Sequence, residues 1–216
     1  MCGIFGFASS KPIPMTKAYK VLERLEVHQY HGEPKPVGGY GAGIAILRND
    51  SSVLLEKVGD VGGSPARRLS DIVEISEAYA LVGHVRMPSP QFMESARFRE
   101  AAQPYVAKCY RNLTVVSAHN GNVTNYNEIR KKLDMVHTLE SEKAELIDSE
   151  VIPHLFEELL KEKTEASKAL DALFSALEGS NAASLLQIEK ENVVFHFIHK
   201  GKTRGLTIWT NEKNEI

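Results

Sequence analysis

Short apolar, β-prone segments recur along this chain, and hairpin-length gaps rather than helices join most of them. They are Cys2–Ala8, Gly43–Leu47, Val53–Val58, Tyr79–Val85, Leu113–Ala118, Ala183–Ile188, Val193–His199 and Leu206–Trp209. Parallel neighbours need a crossover of a dozen or more residues, so the pattern predicts antiparallel sheets in an α+β, layered fold. It argues against a doubly wound parallel sheet. No Gly-rich phosphate loop of standard spacing occurs, so nucleotide binding is not expected.

Helical periodicity interrupts the strands in a few places. Thr16 is placed to cap a helix carrying Ala18, Val21, Leu22 and Leu25 at helical spacing. Ser64-Pro65 reads as N-cap and first helical residue ahead of Leu69, Ile72 and Val73. Asn125 and Glu128 have capping-box spacing for a short helix reaching Leu133. Further helices are expected from about Asp148 to Leu160, with Pro153 near the start, and over Thr164–Glu178, closed by Gly179. His28–Tyr40 reads as a Gly/Pro-rich loop and His119-Asn120-Gly121-Asn122 as a polar turn.

The 216 residues hold no repeat and no long linker, which suits a single domain over 1–216. Twenty-six basic residues against twenty-eight acidic give a net charge of −2, so no nucleic-acid partner is implied. No apolar run approaches the roughly 18 residues of a membrane span, and the opening lacks a secretory pattern. The expectation is a soluble, cytoplasmic protein with neither cofactor nor metal. Two cysteines, Cys2 and Cys109, make no disulfide framework and no paired zinc motif. Cys109 reads as an inert buried thiol. His28 with His31, and His196 with His199, lack a completing ligand cluster and read as surface or structural. Lys200-Gly201-Lys202-Thr203-Arg204 reads as a solvated turn.

Cys2 stands apart from these. A small side chain after the initiator permits removal of Met1, which would give Cys2 a free α-amine. That amine titrates near about 8, so at neutral pH it is an available base beside its own thiol. Nucleophile and base then share one residue.

Met1-Cys2-Gly3-Ile4-Phe5-Gly6 resembles the start of class II glutamine amidotransferases. Three further stretches are similar to the same family in the same order: Gly83-His84-Val85-Arg86, Ala118-His119-Asn120-Gly121-Asn122-Val123-Thr124-Asn125-Tyr126, and Asp148-Ser149-Glu150-Val151-Ile152. The Gly41-Ala42-Gly43-Ile44-Ala45 segment also fits. The resemblance implies a four-layer αββα N-terminal-nucleophile sandwich of two antiparallel sheets. It implies that Cys2 is nucleophile and amine base, and that Asn120 and the Gly121 N–H form the oxyanion hole. Such donors are worth about 3–4 kcal/mol each. Arg86 offers a planar fork for the α-carboxylate of L-glutamine. Asp148 offers a partner for its α-ammonium, and Ser89 stands where relatives place a threonine hydroxyl.

Two stretches depart from the family. The Arg-Gly-x-Asp-x-x-Gly loop of relatives is replaced by His28-Gln29-Tyr30-His31-Gly32 and a Pro/Gly insertion. After Arg86, Met87-Pro88-Ser89-Pro90 replaces a segment that ends in histidine. The expectation is a glutaminase serving a separate synthase subunit, with homo-oligomerisation left open. The alternatives are a free-standing amidohydrolase on another γ-glutamyl compound and a non-catalytic glutamine-binding regulatory subunit.

Overall fold

Strand and helix patterns sort into separate layers in the computed structural model, which describes residues 2–163, 165–190, 192–202 and 205–210. One sheet has the order β1 (Gly3–Pro14), β4 (Glu77–Val85), β2 (Gly41–Leu47), β3 (Val53–Gly59). The other runs β5 (Tyr105–Ala107), β6 (Leu113–Gly121), β7 (Asn181–Glu189), β8 (Asn192–Lys200). Every pairing is antiparallel. Helices α1 (Met15–Glu26) and α2 (Pro65–Ile72) pack on the first sheet. Helices α3 (Tyr126–Lys132), α4 (Val151–Glu162) and α5 (Ala166–Ala176) pack on the second. The layers therefore run helix, sheet, sheet, helix.

Strand alternation decides which residues fill which layer. Ile44, Ile46, Leu81 and Val85 face the first helical layer, where they meet Met15, Leu22 and Leu69. The opposite faces meet between the sheets, where Ala45, Ala80, Val82, Val116, Ala118, Leu186 and Ile188 form the middle core. Several of these are alanines, whose size lets the two sheets approach closely. Ile4 and Ala8 of β1 pack against the same core.

Local signals were kept in some places and overridden in others. Ser64 caps α2 as expected, accepting the Arg67 N–H at 3.1 Å, with Pro65 behind it. The buried Glu26 carboxylate adds to that cap, taking the Ser64 hydroxyl and the Ala66 N–H. Thr16 does not cap α1: β1 runs straight into the helix, and the Met15 N–H is taken by the Ser76 carbonyl at 2.8 Å. Asn125 makes no capping box either. Its side chain instead ties to the Ala176 carbonyl and the Glu178 N–H, stitching α3 to the end of α5. The segment from Asp148 splits into a 3₁₀ turn, Asp148–Glu150, and α4.

Gly179 serves a close approach rather than a helix cap. At φ +95° its missing Cβ leaves room for the Asn122 carbonyl. Leu206–Trp209 forms no strand, and Trp209 is largely exposed. Met1 and part of the Lys200–Arg204 stretch lie outside the described residues. Among the described residues no helix is long and apolar enough to cross a membrane.

Candidate active site

The middle core turns polar at one end. Along β4 the inner face reads Ala80, Val82, His84 and then Arg86 just past the strand. On β6 it reads Val116, Ala118, Asn120, and on β1 it reads back from Ile4 to Cys2. Cys2, Arg86 and Asn120 thus continue three inner rows and come together where the apolar side chains run out. A cavity of about 240 Å³ opens there, lined by these three with Ser89, Gly121 and Asp148. All six residues singled out in the sequence reach it.

Cys2 sits beside the end of β4, since Gly3 pairs with Val85. Its Sγ lies 3.2 Å from the Met87 carbonyl and 3.3 Å from the Met87 N–H. Burial pushes the thiol pKa up, and the Met87 backbone only partly opposes this. The thiol is therefore a poor nucleophile at neutral pH unless a neighbouring base takes its proton.

Arg86 is buried, with 4% of its surface exposed. Its guanidinium donates to the Ser95 carbonyl, the Phe92 carbonyl and the Ser95 hydroxyl at 3.2–3.4 Å. The stretch after Pro88 is a run of 3₁₀ turns from Pro90 to Ala101, and those carbonyls are what hold the fork at the cavity wall. Some N–H groups remain for a ligand. Ser89 is exposed at the cavity mouth and caps nothing with its side chain.

The expected turn at His119–Asn122 is instead strand: β6 continues through Gly121, which pairs with Asn181. Pairing with β7 overrides the Asn-Gly turn preference. A Cβ on Gly121 would overlap the Ser180 carbonyl and crowd His119 Nε2, so the approach of the chains requires glycine there. Asp148 is buried, with Oδ2 accepting the Val123 N–H at 2.9 Å and Oδ1 near the Ser149 hydroxyl at 3.2 Å. It is thus fixed by the segment that follows β6.

A buried polar network, in which Gln103, His119 and Ser149 line the same cavity, escaped the sequence reading. Gln103 Oε1 accepts the His119 N–H at 2.7 Å, which turns its amide nitrogen toward His84 Nε2, the His119 carbonyl and the Ser149 hydroxyl. His119 bridges Ser149 and Asn181 at 2.9 Å each. Burial, with Arg86 nearby, drives the His84 pKa down to about 3, so this imidazole is neutral. His119 and Ser149 lay inside recognisable motifs, but Gln103 follows an aperiodic stretch that carried no signal.

Cys109 is not the fully buried thiol expected of it. It is half-buried, and its Sγ lies 3.6 Å from His154 Nδ1.

Two antiparallel sheets between helical layers, with a cysteine leading the first strand into an inter-sheet cavity, define the N-terminal-nucleophile class of amidotransferase sandwich. The chain belongs to the glutamine amidotransferase domain family, whose sequence model matches residues 93–202. Over 198 residues it is 30% identical to the isomerizing glutamine–fructose-6-phosphate aminotransferase of Sulfurisphaera tokodaii, covering 90% of this chain and 30% of that protein. Over 189 residues it is 27% identical to the amidophosphoribosyltransferase of Escherichia coli, covering 84% and 32%. Glutamine phosphoribosylpyrophosphate amidotransferase from B. subtilis, solved with ADP and GMP, shares the fold. Its TM-score is 0.56 at 18% identity, over 91% of this chain and 37% of that one. The chain spans about a third or less of the length of these curated relatives.

Proposed function

We propose that, after Met1 is removed, the chain hydrolyses the side-chain amide of L-glutamine to glutamate and ammonia and hands the ammonia to a separate synthase. The Cys2 α-amine takes the thiol proton, directly or through one water, and Sγ bonds to the amide carbon. The Asn120 side-chain NH₂ and the Gly121 N–H stabilise the oxygen that becomes negative. The C–N bond breaks as the ammonium of Cys2 returns its proton to the leaving nitrogen. Ammonia departs and leaves a γ-glutamyl thioester. Water, deprotonated by the same amine, adds to the thioester carbon and expels the thiolate, releasing glutamate. Arg86 holds the substrate α-carboxylate and Asp148 its α-ammonium.

One observation carries this reading. Cys2, Arg86, Ser89, Asn120, Gly121 and Asp148 come from four separate stretches of chain and line a single cavity. Its volume is below the roughly 300–1,000 Å³ of sites for drug-sized ligands and suits a single amino acid. The test is release of glutamate and ammonia from L-glutamine by processed protein, with and without candidate synthases. Equal amounts of both products support the proposal. Binding without turnover would favour a regulatory subunit, and preference for another γ-glutamyl amide would favour a free-standing amidohydrolase.

A further inference from the structure

On the far side of the second sheet four potential ligands converge from three segments. Cys109 lies in the β5–β6 connection and His137 in the connection from α3 toward α4. His154 and Glu157 stand one turn apart on α4. One ligand atom from each lies within 4.8 Å of all the others. His137, His154 and Glu157 are almost completely buried, at 2%, 1% and 0% exposure. We propose that Cys109 Sγ, His137 Nδ1, His154 Nδ1 and Glu157 Oε2 form a closed tetrahedral site for a divalent transition metal, zinc fitting best.

The distances lie close to the edges of a tetrahedral metal site, and two of the three are long for hydrogen bonds. Tetrahedral zinc, with bonds of about 2.3 Å to sulfur and about 2.0–2.2 Å to nitrogen or oxygen, sets ligand–ligand edges of roughly 3.3–3.6 Å. The two Nδ1 atoms are 3.1 Å apart, Cys109 Sγ is 3.6 Å from His154 Nδ1, and His137 Nδ1 is 3.6 Å from Glu157 Oε2. A thiolate and a carboxylate neutralise a dication, so the loaded site buries no net charge.

The surroundings match what ligands need. Glu157 Oε1 is held by the N–H groups of Cys109 and Tyr110 at 2.7 and 3.0 Å, leaving Oε2 aimed into the cluster without a hydrogen-bond partner. His137 Nε2 faces Glu158 Oε2 at 3.4 Å, and His154 Nε2 faces Glu150 Oε1 at 3.9 Å. Ligation through Nδ1 puts the proton of each ring on Nε2, pointing at a carboxylate, the usual outer partner of a ligating histidine. Two neutral metal-free rings cannot both manage this. Whichever ring donates Nδ1–H to the other turns a bare Nε2 lone pair toward a carboxylate oxygen. A surface cavity that reaches Cys109 and His154 gives the ion access.

The bound ion would pin the β5–β6 turn and the α3–α4 connection to α4. The 3₁₀ turn leading into α4 carries Asp148 and Ser149 to the other cavity, so this is a structural site rather than a catalytic one.

Metal content and cobalt spectra of the full-length chain test it, independently of any glutamine turnover. In a Cys2→Ala background Cys109 is the sole thiol. That protein should retain one zinc per chain through dialysis. Loaded with Co²⁺, it should show intense tetrahedral d–d bands and a thiolate charge-transfer band that Cys109→Ser abolishes. Glu158→Gln should weaken zinc binding about 10- to 100-fold through the histidine it orients. Should Cys109→Ser not fold, zinc protection of Cys109 from alkylation in the parent replaces it, with loss of labelling expected. Folded protein that keeps no zinc and gives no charge-transfer band overturns the proposal, as does a cobalt spectrum unchanged by Cys109→Ser.

Discussion

Cys2 Sγ and the Met87 backbone nitrogen lie 3.3 Å apart although 85 positions separate them in sequence. Antiparallel register makes the contact: Gly3 opposite Val85 leaves the residue before one strand beside the residues after the other. A slip of one residue would move Cys2 to the outer face. The sheet that orders the thiol also buries it, which raises the cost of ionising it.

Cys2→Ala removes the nucleophile and little volume, so ammonia release should vanish while circular dichroism and melting temperature stay close to those of the parent. Cys2→Ser should keep at most a trace, because a hydroxyl ionises far less readily than a thiol. Sustained glutamine turnover by the alanine variant contradicts the mechanism.

In the proposed mechanism the α-amine takes the proton of a thiol whose pKa burial raises, and only the neutral amine can do so. The value of kcat/KM should therefore climb with pH and level off above the amine pKa, near about 8. A chain that retains Met1 has an acylated nitrogen there and should be inactive. Intact mass paired with activity checks the second point, and a pH-rate profile flat across neutrality defeats the first.

Arg86→Lys keeps the charge but loses the fork that both reaches the cavity and ties down the Phe92 and Ser95 carbonyls. Loss of about 1.5–3 kcal/mol of charge-assisted hydrogen bonding should lower kcat/KM roughly ten- to a hundredfold, mostly through KM. Ser95→Ala removes one support and leaves the guanidinium, so its KM should rise less. Wild-type kinetics in the lysine variant would make Arg86 purely structural.

Asp148 separates binding from folding. Asp148→Asn still accepts the Val123 N–H but carries no charge, so KM for glutamine should rise at near-normal stability. Asp148→Ala orphans that buried N–H and should also cost about 1–3 kcal/mol, seen as a lower melting temperature. Equal melting temperatures for the two variants would show that the bond to Val123 contributes little.

Antiparallel pairing was legible because strand spacing is local, whereas the four-layer sandwich and the cavity's six residues were legible through motifs that resemble the family. What stayed hidden depends on pairing between distant segments. The turn expected at Asn120-Gly121 is strand because β7 continues beside it, and α1 has no side-chain cap because Ser76 supplies the acceptor. Gln103 and the Cys109–His137–His154–Glu157 cluster draw on residues with no shared periodicity. Only His154 and Glu157, about one turn apart on α4, share a helix face.

Cys2 and Arg86 are carried by one sheet, Asn120 and Gly121 by the other, and between the sheets lies an apolar filling thinned by Ala45, Ala80 and Ala118. That filling works as a shim. Its thickness sets how far the thiol stands from the Asn120 amide, without either sheet changing a single ladder bond. Ala45, Ala80 and Ala118 are not among the residues lining the cavity, yet a wider side chain at any of them would open the seam from behind and leave each half of the cavity intact but out of reach of the other.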